Sequence, residues 1–286
     1  MAVYKRGYQR YSGTRTSHLM RLLAYPRFAW RRLFRERLVV VALLASLIWP
    51  LLCMVFIYVS NRMDLWPGLG KELLQYLSVN GKFFLVFMNV QAVAVVILAA
   101  LAGPGLVAPD LSNNALPLYL SRPFTRVDYV FSRLVVLLGL LALVSWIPAL
   151  VLLAMQTGMA GWGWLAANWG LAAGTLGGMA VWTILVSLVA LACSAYVRWR
   201  VLAGALVLGV FFLLSGAAEI IRRILEAPWL NLISPAGAMY QLWCAWLGVE
   251  PPEGPSPHAS ALALIAMGAL VIFVLERKLR PVEVVS

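Results

Sequence analysis

Two histidines, three cysteines and eleven carboxylates are the chain's first candidates for acid–base, nucleophilic or metal chemistry. They are scattered. Cys53, Cys193 and Cys244 form no CxxC pair, and an odd number closes no disulfide framework. His18 and His258 are expected on opposite sides of the membrane, so no metal site can be assembled from histidine. No HExxH or GxSxG motif occurs. The pairs Gly70-Lys71 and Gly81-Lys82 lack the upstream glycine and the following Ser or Thr of a phosphate loop. No two acids fall inside an apolar run, so no carboxylate proton relay is supported. The chain is therefore expected to bind no metal or cofactor and to hydrolyse no ATP by itself. A lipid-modifying enzyme is disfavoured too, because no nucleophile is paired with a base.

The stretch that carries a signal is GPGLVAPDLSNNALPLYLSRPFTRVDYVFSR, residues 103–133. Asp110 and Ser112 suit the cap of a short helical segment, and Pro117 limits it. Pro123 suits the first turn of a new helix. Arg122 and Arg126, four apart, share a face of that helix. Leu116, Leu118, Tyr119, Leu120 and Phe124 are apolar on a segment otherwise expected to be wet. An apolar element between arginines reads as a docking surface. The alternative is an element folded back on the membrane.

The elements that must position this loop follow from composition. The chain has 286 residues, 63% hydrophobic and only 12% charged. A soluble domain carries about twice that charge density, so a soluble globular protein is excluded. Runs without charge cover 38–61, 83–109, 134–197, 201–218 and 254–275. The run 134–197 is too long for one helix and is expected to break at the cluster Gln156, Thr157, Gly158, Gly161 and Gly163. That makes six spans, each near the ~20 apolar residues a bilayer needs. They are placed near 38–60, 83–106, 130–155, 166–195, 201–218 and 257–275. Residues 227–249 are also uncharged, but Pro228, Asn231, Ser234, Pro235 and Gln241 argue for a re-entrant or interfacial hairpin over a seventh span.

Basic residues set the topology. One side gathers ten up to residue 37, then Arg122, Arg126 and Arg133, Arg198 and Arg200, and Arg277, Lys278 and Arg280. The other holds Arg62, Lys71, Lys82, Arg222 and Arg223. The rich side is expected to be cytoplasmic, with both termini there and the chain in a bacterial-type plasma membrane. A basic face of this kind suits anionic lipid, and nucleic-acid binding is not expected because the charges adjoin a span. Pro26 divides residues 17–37, so an amphipathic interfacial helix is predicted over 27–37, with its aromatics in lipid. No cleavable signal peptide is expected.

Within the spans, Gly170, Gly174 and Gly178 line one helix face and permit close packing. Asn89 and Gln91 predict interhelical hydrogen bonds, with a pathway lining as the alternative. Glu219, Arg222, Arg223 and Glu226 have helical spacing, which suggests pairing within one helix or a polar gate. Trp66, Trp162, Trp164, Trp229, Trp243 and Trp246 read as an aromatic belt.

The run APDLSNNALPLYLSRPFTRVDYVFSR resembles the intracellular coupling segment of type-2 ABC exporter permeases. Ser121-Arg122-Pro123, Arg126 and Tyr129 carry the resemblance; Arg133 departs from it, standing where many such permeases keep Lys. The resemblance implies an all-α membrane protein in three parts. These are a basic arm with an interfacial helix (1–37), a six-span domain (38–276) and a tail (277–286). The domain would include a coupling loop at 107–129 and an outer segment at 219–256. It further implies a second permease copy, in a homodimer or heterodimer, and two cytoplasmic ATPase subunits that bind ATP and Mg. Asp110, Leu116, Leu118, Tyr119, Arg122, Pro123, Phe124 and Arg126 would then be the coupling residues. The competing reading is a structural or assembly subunit of a membrane complex, without a transport path.

Overall fold

The computed structural model describes residues 18–62, 78–113, 126–197 and 199–278. Six helices are long and apolar enough to cross a bilayer: Arg37–Asn61, Gly81–Asp110, Val127–Ala160, Trp169–Tyr196, Arg200–Leu225 and Pro257–Lys278. No strand occurs among the described residues. A helix is the form in which an apolar segment satisfies its own backbone, as hydrocarbon requires. The protein is thus all-α, with the architecture of a multi-pass membrane protein.

Spans two and four form the centre. Phe84, Phe87, Met88, Met179 and Val186 are fully buried between them and their neighbours. Spans one, five and six are peripheral and present Leu44, Ile48, Val55, Leu202, Leu213 and Ile265 outward. Polar contacts fix which helix ends meet. Arg200, at the start of span five, pairs with Glu36, just before span one. Arg133, in span three, meets Asp110 at the end of span two. The Tyr196 hydroxyl, ending span four, donates to the Val274 carbonyl of span six at 3.2 Å. All six spans therefore bring alternate ends to one side, called here the arm end.

Prolines interrupt two spans at the same depth. Span one breaks at Leu47 between helices Arg37–Ser46 and Ile48–Asn61, with Pro50 in the first turn of the second. Span three breaks at 143–145 between helices Arg126–Ala142 and Trp146–Ala160, with Pro148 placed likewise. A proline has no N–H for the carbonyl four residues earlier. The orphaned carbonyls are those of Ser46 and Val144. One side chain takes both. Gln91 of span two, wholly buried, donates through Nε2 to Ser46 O at 3.2 Å and to Val144 O at 2.5 Å. Its amide is an interhelical bond, as the sequence suggests. Asn89 instead bonds the Leu85 carbonyl of its own helix.

Several expectations are corrected. Span three ends within the expected cluster, but at its glycine and not at its polar members: helix Trp146–Ala160 continues through Gln156 and Thr157. Gln156 Oε1 accepts from Asn61 Nδ2 at 2.8 Å, and the Thr157 hydroxyl donates to Leu153 O. Polar groups paired in this way need not end a helix. Gly161, at φ 88°, does. The arm helix runs His18–Leu33 straight through Pro26 and stops short of residue 37. Packing on span three overrides the proline. Ala29 and Leu33 are buried, and Trp30 Nε1 donates to Val136 O at 3.2 Å. Gly139 makes room for that indole, where any Cβ would collide with it. Trp30 thus faces protein, while Phe28 and Phe34 stay exposed.

Residues 227–249 form a 3-10 turn, Pro228–Leu232, and a helix, Pro235–Leu247. Ser234 caps the helix by accepting from Gly237 N, and Gly248 ends it in the left-handed region. Thirteen residues rise about 20 Å, too little for a ~30 Å hydrocarbon core. Met239, Trp243, Cys244 and Leu247 are buried. Trp243 packs edge-to-face on Trp182 at 5.9 Å, so it belongs to the core and not to an aromatic belt. Trp162 and Trp229 are exposed, and Trp66 lies outside the described residues.

Losing the Gln91 amide strands two buried carbonyls, each costing about 1–3 kcal/mol. Gln91→Leu should lower the thermal midpoint of the purified protein in detergent. Pro50→Ala and Pro148→Ala added together should recover much of the loss, because alanine restores the missing N–H. A Gln91→Leu protein as stable as the parent would show that the amide pins nothing.

Candidate functional site

The coupling candidates Leu116, Leu118, Tyr119, Arg122, Pro123 and Phe124 lie outside the described residues. The structure shows how the loop carrying them is anchored. Its descending limb is the helix Pro104–Ser112, which extends span two past a turn at Gly103. Its ascending limb is the helix that opens with Arg126.

The descending limb is held by a hydroxyl set into its backbone. The Ala108 N–H donates to Ser194 Oγ at 3.0 Å. Ser194 then donates to Pro104 O at 3.2 Å. Span four is thereby stitched into the end of span two. Gly103 lies so close to Ala190 of span four that a Cβ there would stand 2.9 Å from the alanine methyl.

Asp110 is not the cap of a new helix. It stands in the last turn of the descending limb, where the helix dipole disfavours a carboxylate. Two donors compensate on one oxygen: Arg133 Nη2 at 2.6 Å and the Tyr129 hydroxyl at 2.9 Å, both from span three. The Arg133 side chain is 1% exposed and that of Asp110 20%. A charge so enclosed requires a partner, since desolvation otherwise expels it. The guanidinium is also sandwiched, 3.2 Å from the Tyr25 ring centroid and 4.5 Å from that of Tyr129. Tyr25 belongs to the arm helix. One arginine therefore joins the arm, the end of span two and the start of span three. A planar guanidinium can stack and bond at once, which an ammonium cannot. This gives a physical reason for Arg at this position.

The second ion pair at this end, Glu36 with Arg200, ties the turn before span one to span five. Arg200 Nη2 also donates to Leu101 O at 3.2 Å, beside the break in span two. The arm end is thus a belt of two ion pairs around the base of the loop.

The other singled-out residues lie elsewhere. Gly174 faces Trp246, and Gly178 faces Met88 and Trp243, so both seat neighbouring elements within the chain. Gly170 has open space beside it. At the far end of span five, Glu219 pairs with Arg222 at 2.7 Å and Arg223 at 2.8 Å, while Glu226 ends the helix with φ 50°. Among the described residues no group of three His, Cys, Asp or Glu could hold a metal ion. The sequence held one clue to the Asp110–Arg133 pair: these two charges bound the apolar runs 83–109 and 134–197.

Breaking a buried pair by removing one partner costs about 3–5 kcal/mol. Asp110→Ala should lower the detergent unfolding midpoint clearly, and Arg133→Met added to it should restore part of the loss. Arg133→Lys should fall between, keeping the charge but not the stacking. Equal midpoints for the parent and Asp110→Ala would remove the pair from any structural role. Set against known proteins, the chain matches no family model and no curated sequence, so its functional reading rests on these residues and on the loop they anchor.

Proposed function

We propose that this chain is the permease subunit of an ATP-driven transporter of the type-2 ABC exporter kind. The observation that carries the reading is the Asp110–Arg133–Tyr129–Tyr25 cluster at the foot of loop 114–125. A loop tied at its base to two spans and to the arm passes a push on its tip to all three. An unanchored loop would absorb that push. The apolar residues Leu116, Leu118, Tyr119 and Phe124, with Arg122 and Arg126, form the docking surface, and Pro123 stiffens the entry to span three.

In this reading the arm end is cytoplasmic, both termini lie there, and the membrane is a bacterial-type plasma membrane. The arm helix rests at the inner leaflet with Arg27, Arg31 and Arg32 outward, and helix Pro235–Leu247 is the outer segment after span five. ATP and Mg belong to cytoplasmic ATPase subunits, and a second permease subunit completes the path. A structural or assembly subunit is the alternative. It needs the same six helices but gives no reason for an apolar loop tip on a braced base.

The test combines three substitutions in the loop tip, Tyr119→Ala, Phe124→Ala and Arg122→Glu, all outside the braced base. The expected product is a folded, membrane-inserted chain whose copurifying ATPase either dissociates or hydrolyses ATP without transport, because buried aromatics commonly dominate interface energies. Unchanged ATPase binding and transport would reject the coupling role.

Orientation is checked separately by cysteine labelling in intact cells. Reagent applied outside should reach residues introduced at 63–77 and 250–256 but none at 280–286. Outside labelling of the tail would reverse the topology.

A further inference from the structure

We propose that the cleft between spans one and two, at the end away from the arm, is a binding site for an anionic phospholipid. The cleft encloses about 730 Å³. Span one contributes Trp49, Leu52, Cys53 and Phe56 to its walls, and span two contributes Phe83 and Val86. Phe56 and Phe83 stack with centroids 5.1 Å apart, which gives the cleft a rigid back. Leu52 and Val86 are more than half exposed at its edges, so it opens sideways to the bilayer. An acyl chain fits such walls, and a soluble ligand does not.

A further feature selects the head of that chain. The mouth is polar: Ser78, Asn80 and Lys82 line it, at the N-terminus of the 22-residue helix Gly81–Ala102. Lys82 is exposed and makes no ion pair among the described residues. A lysine at a helix N-terminus favours an anion through both its charge and the helix dipole. A phospholipid supplies what the cleft lacks in the right order, a phosphate at the mouth beside Lys82 and an acyl chain between the apolar walls. The inference does not rest on the transport reading; it concerns a different end of the molecule.

The experiment is native mass spectrometry of the full chain, purified in neutral detergent and titrated with phosphatidylglycerol or phosphatidylcholine. One phosphatidylglycerol per chain should be retained in preference to phosphatidylcholine. Lys82→Gln should cut that preference about fivefold. Val86→Trp, which plugs the lipid-facing edge, should abolish retention of both lipids while the thermal midpoint holds. Soluble glycerol 3-phosphate should not displace the lipid. Retention that ignores Lys82→Gln and Val86→Trp, or displacement by glycerol 3-phosphate, would overturn the proposal.

Discussion

Spans one and three each lose a backbone hydrogen bond to a proline, and both losses are made good by one amide. The carbonyls stranded by Pro50 and Pro148 are those of Ser46 and Val144, and Gln91 Nε2 bonds both. Without water at that depth, neither carbonyl has another route to satisfaction. The bonds therefore fix the rotation of two kinked helices about a third. Other contacts at this level depend on that rotation. Ser145, in the break of span three, bonds Leu141 O and accepts from the Thr183 hydroxyl of span four. Trp146 reaches the Leu176 carbonyl, and Trp182 reaches Ala92 O in return. Four spans are thus cross-bonded through side chains that meet carbonyls, at a depth where apolar packing alone gives little direction.

The arm end is organised by charge. An arginine buried to 1% exposure is costly to desolvate, and its cost is offset only by close opposite charge and by aromatic faces. Arg133 has both. The pair also resolves a local conflict, because Asp110 lies at a helix C-terminus that repels carboxylates. Each residue is unfavourable alone and tolerable only with the other. Such interdependence gives little net stability but strong preference for one arrangement of helix ends, the arrangement on which the loop is mounted.

The six helices were legible because charge is so sparse that its gaps mark the spans. The Asp110–Arg133 pair was half legible: both charges stand at the edges of apolar runs, but their separation of 23 positions hides that they touch. The Gln91 contacts were legible in kind only. A buried amide predicts an interhelical bond, but its acceptors lie 45 and 53 residues away and exist because of prolines in other helices. Local rules failed where tertiary packing outweighed them. Pro26 does not break the arm helix because span three holds it, and Gln156 does not end span three because Asn61 pairs with it. Trp243 has the sequence setting of a belt residue; only Gly178 and Trp182 beside it make it core.

Together the mid-depth amide and the arm-end arginine divide the molecule unequally. Spans one, two and three share Gln91, while the arm, span two and span three share Arg133. Span four is sewn to the same group through Ser194 and Thr183. Spans five and six hold to it by fewer polar ties, chiefly Arg200 with Glu36 and Tyr196 with Val274 O. Span five also carries a π-helical stretch, Gly209–Leu213, where the backbone ladder is least regular. In the proposed coupling role, a force on the loop would reach spans two and three together and be resisted by span four. Spans five and six, with fewer such ties, are the part of the bundle that this polar framework fixes least.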